Sequence, residues 1–222
     1  GGTGGTALVI TFNANATVTA TVATAAQALA RAITFENALD NIDTTQRTVT
    51  VTVNDGANTS DPDDITINVT AVNDAPVVAA PGAPLAATEQ IDLTIQGTGF
   101  TVSDADAGTG TLTATLNVGT ITVALGDSGA SVTAGNGSGT VTITGTAAQL
   151  NNLLMGGGTG TILFNANSDT PAASTTFTVT VNDGGNTGTD PGTSGTGTTE
   201  EGANSQTINI TAVNDVPTIT GA

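Results

Sequence analysis

Residues 53–74 read VNDGANTSDPDDITINVTAVND, and residues 181–215 read VNDGGNTGTDPGTSGTGTTEEGANSQTINITAVND. The chain states one passage twice. Its opening returns after 128 positions (Asn54 to Asn182) and its close after 141 (Ala71 to Ala212), so the second copy carries 13 additional residues. Acidic ends that stay fixed around a middle that drifts mark a modular array with variable loops.

Outside those passages the same texture continues. Apolar residues alternate with Thr at period two, the mark of a half-buried strand. The clearest runs are Val49, Val51 and Val53; Ile65, Ile67 and Val69; Leu112, Ala114 and Leu116; Phe177, Val179 and Val181; and Ile208, Ile210 and Ala212. Many short strands between Gly/Asn/Asp turns predict an all-β protein built of β-sandwiches. Two short helices interrupt them. Thr24-Ala-Ala-Gln27 and Thr146-Ala-Ala-Gln149 both fit a capping box, Thr at the N-cap and Gln three positions on, so one short helical segment is expected per repeat.

The units are unequal. Residues 75–215 include IDLTI (91–95), FTVSDADAG (100–108) and TLTATLNV (111–118), for which residues 1–74 have no counterpart. The expected organisation is the C-terminal half of a sandwich over 1–74, a complete sandwich over 75–215, and in 216–222 the start of a next repeat or a docking strand. A half-sandwich has an open sheet edge, to be closed by residues upstream or by another copy.

Charge narrows the function. Nineteen acidic residues face two basic ones, Arg31 and Arg47, for a net charge of −17. Nucleic acid and anionic membrane surfaces both call for the opposite sign, so neither is an expected partner. No apolar run is long enough to span a bilayer, so no direct membrane insertion is expected. With no His, Cys, Lys or Tyr the usual bases and nucleophiles are missing, and an enzyme is the least favoured class.

The acids cluster where one unit meets the next: Asp55 in Asn54-Asp55-Gly56, Asn73-Asp74, Glu89, Asp104 and Asp106 in Ser-Asp-Ala-Asp, Asp183 in Asn182-Asp183-Gly184, and Asn214-Asp215. Asp61-Pro-Asp-Asp64 is a weaker cluster. Any one of these is also an ordinary turn or linker. Together, as oxygen-only donors, they suit Ca2+, which takes six to eight oxygens in a forgiving geometry. The absence of Cys and His argues against zinc or copper.

AVNDAP (71–76), SDADAG (103–108), the TAAQ segments, TFEN (34–37) and VTVNDG together resemble the tandem cadherin-like repeats of giant bacterial surface adhesins. That resemblance implies cadherin/immunoglobulin-like sandwiches, calcium at the junctions, and an extracellular place on the bacterial cell surface. By the same resemblance Asp55, Asn73, Asp74, Asp104 and Asp106, with Glu89, form the first junction. Asp183, Asn214 and Asp215 form the second, with partners outside the chain. The expected function is a non-catalytic structural or adhesive segment whose partners are neighbouring repeats or copies of itself. The alternatives are a head-to-tail homopolymer completed by strand donation and a calcium-dependent carbohydrate-binding module. The second would be short of stacking aromatics, with five Phe and no Trp or Tyr.

Overall fold

The computed structural model describes residues 8–11, 22–54, 57–185 and 201–217. Two compact units divide the chain, residues 1–38 and residues 39–222. The first contains helix α1 (Val22–Ala30). This helix starts two residues before Thr24, which is therefore not its N-cap. Phe12 lies outside the described residues.

Among its described residues the second unit is all-β apart from one helix. Its elements are β1 (Arg47–Val51), β2 (Asp63–Ile67), β3 (Val77–Ala79), β4 (Leu85–Thr88), β5 (Leu93–Thr94), β6 (Thr101–Ser103), β7 (Leu112–Ala124), β8 (Ser131–Ala134), β9 (Ser138–Gly145), α2 (Ala147–Leu154), β10 (Thr161–Asn165), β11 (Ser174–Asn182) and β12 (Glu201–Thr211). The largest sheet runs β4-β12-β11-β7-β10-β5, with β9 also on β7 and β8 on β9; β3 pairs with β6, and β1 with β2.

Strand β7 organises this sandwich. One of its edges pairs with β9; the other pairs with β11 over Thr113–Asn117 and then with β10 over Thr120–Ala124. The register slips between Asn117 and Ile121, where Gly119 lets the backbone pass the Phe164 ring. Alternation along β7, β9, β10 and β11 sends Leu112, Leu116, Ile121, Val141, Ile143, Ile162, Phe164, Phe177 and Val179 inward. Phe100 meets Phe177 edge to face, centroids 5.0 Å apart. The core is aliphatic with three rings in it. Phe35, in the first unit, is 49 % exposed.

Helix α2 matches its sequence signal. Thr146 Oγ1 accepts the Gln149 N–H, Gln149 Oε1 accepts the Thr146 N–H, and Leu150, Leu153 and Leu154 are buried. Asn151 clasps Val102 as a strand neighbour would, accepting its N–H at 2.8 Å and donating to its C=O at 2.7 Å.

The repeated passages share a register. Arg47 sits opposite Ile67 and Val49 opposite Ile65; in the second copy Thr175 sits opposite Ile208 and Phe177 opposite Gln206. These are the same positions of the repeat. The surroundings differ: Phe177, Val179, Val181 and Ile208 are fully buried, whereas Val49 and Val51 are half-buried and Val53 is exposed.

Candidate metal centres at the two ends of the sandwich

Strand β12 runs antiparallel to β11 and parallel to β4. Its first residue, Glu201, therefore lies beside Asn182, and its last, Thr211, beside Thr88. Acidic residues just past β11 and just past β4 are thus carried to opposite ends of an eleven-residue strand.

At the β11 end, Asp104, Asp106 and Asp183 each place a carboxylate oxygen within 4.8 Å of the others. Asp106 and Asp183 are buried and Asp104 is partly buried. Asp104 follows β6, and its Oδ1 accepts the N–H groups of Asp106 (3.1 Å) and Ala107 (2.8 Å), a tight Asx turn that aims both aspartates the same way. Pairing of Val77 with Ser103 brings the linker across this turn. The Asp74 N–H donates to Asp106 Oδ2 at 3.2 Å, and Asn73 Nδ2 donates to Asp183 Oδ2 at 2.8 Å. Asp183 Oδ1 accepts the Gly185 N–H. Burial pushes the Asp104 carboxyl above its ordinary value, against the pull of the Ala107 and Asp106 N–H groups. Its Oδ2 is buried and takes no hydrogen bond.

A cavity of about 390 Å³ opens beside this triad, lined by Asp40, Asp74, Ser103 and Asp104 among others. Asp40 was not singled out in the sequence.

At the opposite end, Glu89, Asp169 and Asp215 bring carboxylate oxygens within 4.8 Å of one another. Glu89 is 2 % exposed. Its Oε2 accepts the Val213 N–H at 2.6 Å, while Oε1 is buried without a hydrogen-bond partner. Gln90 adopts a left-handed backbone (φ 57°) and donates its side-chain amide to Asp169 at 2.8 Å. Asn214 Nδ2 donates to the Asp215 C=O at 3.2 Å, just as Asn73 Nδ2 donates to the Asp74 C=O at 3.1 Å. The two linkers make the same local turn.

The predicted residues thus assort differently from the expectation. Asp183 belongs with Asn73, Asp74, Asp104 and Asp106, and Glu89 belongs with Asp215; sequence reading had them exchanged. Asn214 is exposed and points back at its own linker. Asp55 lies outside the described residues. Asp63 and Asp64 fall in β2, exposed, with Asp64 accepting the Thr50 hydroxyl, and join neither triad. Asp169 was missed, although the repeat signals it: Asp169 follows Phe164 by five residues, as Asp40 follows Phe35.

Each triad brings its carboxylate oxygens close enough together to hold a metal ion. Oxygens bound at about 2.4 Å from one ion lie no more than about 4.8 Å apart. Among the described residues the sole ion pair is Arg47–Asp43, remote from either triad in sequence, so no protein cation neutralises them. No protein-family model matches the chain, and no curated protein matches it.

Proposed function

We propose that this chain is a calcium-stiffened structural segment of an extracellular bacterial fibre or adhesin of cadherin-like type, without catalytic activity. The observation that carries this reading is the pair of carboxylate triads at the two ends of β12, each with a deeply buried acid and no basic residue to offset it. Asp104, Asp106, Asp183 and the linker residues Asn73 and Asp74 would hold one ion. Asp40, across the cavity, stands where Asp169 stands in the other copy and adds a donor. Glu89, Asp169 and Asp215 would hold another, leaving room for donors from a following module.

The function follows from electrostatics. Without a cation, like charges at close range in a partly dry site repel, and the linker through Asn73 and Asp74 loosens. With one, the same oxygens share a single charge and fix the linker against the sandwich. Neighbouring repeats, or copies of the chain, are the partners this arrangement serves. The absence of His, Cys, Lys and Tyr supports a non-catalytic role.

Thermal unfolding with calcium and with chelator tests the reading. A ligand at 100 times its dissociation constant stabilises by about 2.7 kcal/mol, so a clear rise in Tm is expected. Coincident melting curves under the two conditions would remove the proposal.

A further inference from the structure

The β1–β2 hairpin poses a separate question, since among the described residues its duplicate is flanked by a further strand and it is not. In the complete copy, the outer edge of β11 is taken by β7 in antiparallel pairing. Among the described residues β1 is laddered to β2 alone, and none of them places a strand on the equivalent edge. Nothing on β1 blunts that edge: the sequence Arg-Thr-Val-Thr-Val has no Pro, no Lys and no bulge.

The face belonging to this edge is self-complementary. Register places Arg47 beside Ile67, Val49 beside Ile65, and Val51 beside Asp63. The positive end and the negative end of one face are thus separated by an apolar middle. We propose that β1 pairs antiparallel with β1 of a second copy, giving a β2-β1-β1-β2 sheet across a two-fold axis centred on Val49. The central row is then Ile65, Val49, the partner's Val49 and the partner's Ile65. In each flanking row Arg47 lies across from the partner's Val51 and looks toward the partner's Asp63. That is two strand spacings, about 10 Å between backbones, which the two side chains span between them. The interface is isologous, so one contact set is made twice. It draws on Arg47, one of two cations in a chain of net charge −17 that otherwise repels its own kind, and turns its guanidinium from the Thr45 and Asp43 carbonyls and the Asp43 carboxylate 3.6 Å away toward the partner's Asp63. No carboxylate of either triad takes part.

Sedimentation equilibrium of the full chain, run in chelator so that cation bridging plays no role, tests this. The expected mass is twice that of one chain. Val49→Lys sets two ammonium groups against each other on the axis and is expected to return the monomer with unchanged circular dichroism. Arg47→Asp alone is expected to abolish the dimer, and Arg47→Asp with Asp63→Arg to restore it, a rescue that a merely structural role of Arg47 does not produce. A monomeric wild-type chain, as when residues elsewhere cover the edge, overturns the proposal; so does a dimer indifferent to Val49→Lys and to the charge reversal. Because calcium is absent throughout, neither result bears on the cation sites.

Discussion

Asn73 donates its side-chain amide to Asp183 at 2.8 Å, across 110 positions of sequence, with both residues 2 % exposed. The contact ties the linker ahead of the sandwich to the end of its penultimate strand. It also gives a buried carboxylate oxygen a neutral donor in a site without cations.

Removing that donor strands the carboxylate. Leaving a buried polar group unsatisfied costs about 1–3 kcal/mol, more for a charged one. Asn73→Ala is therefore expected to lower stability in chelator by about 2 kcal/mol, read from the urea midpoint.

At the other end Glu89 keeps one oxygen buried without a hydrogen-bond partner. Glu89→Gln keeps an acceptor for the Val213 N–H and removes the charge. Its Tm in chelator is expected to equal or exceed that of the wild type, while its rise on adding calcium is smaller. Calorimetric titration is expected to lose one class of calcium site, with the Asp104 triad still binding.

Helix α2 has both arms of its capping box in place. Thr146→Ala removes the acceptor for the Gln149 N–H, and a lost Thr cap typically costs about 1 kcal/mol. Since Leu150, Leu153 and Leu154 remain buried, the variant is expected to shift the urea midpoint without changing the slope.

Asp127, remote from both triads in sequence, accepts the Thr159 N–H at 2.6 Å and the Thr159 hydroxyl at 3.1 Å. The Thr159 N–H first, then Asp127's own N–H and the Thr159 hydroxyl, hold this carboxyl below its ordinary value of 3.8. A depressed carboxyl binds its proton more weakly when folded, so its stabilisation is present above 3.8 and lost as pH falls through the folded value. The Tm difference between wild type and Asp127→Asn is expected to be largest near neutrality and to shrink as pH falls through the folded value, below 3.8.

The strands were legible because Thr and aliphatic residues alternate; β1, β2, β7, β11 and β12 overlap the runs that predict them, although β1 stops at Val51, short of Val53, β2 stops at Ile67, short of Val69, and β7 and β12 extend well beyond their runs. One TAAQ segment caps its helix and the other lies inside one, because a capping box says nothing of what precedes it. The acids were legible as a set and not as two groups. Which end of the sandwich Glu89 and Asp183 occupy depends on β12 running parallel to β4 and antiparallel to β11, a non-local fact that local spacing does not encode. Asp169 has no acidic neighbour of its own in sequence and becomes visible only by counting from Phe164, as Asp40 does from Phe35.

The pairing of Asn182 with Glu201 carries a last consequence. It seals the hairpin on the near side of the 13 added residues, and lengthening a closed loop costs only about 0.6 kcal/mol per doubling. Foreign peptide grafted between Gly185 and Glu201 would be carried on a stem whose two strands are already paired, so this connection is a place where such a protein can change its length while its architecture stays the same.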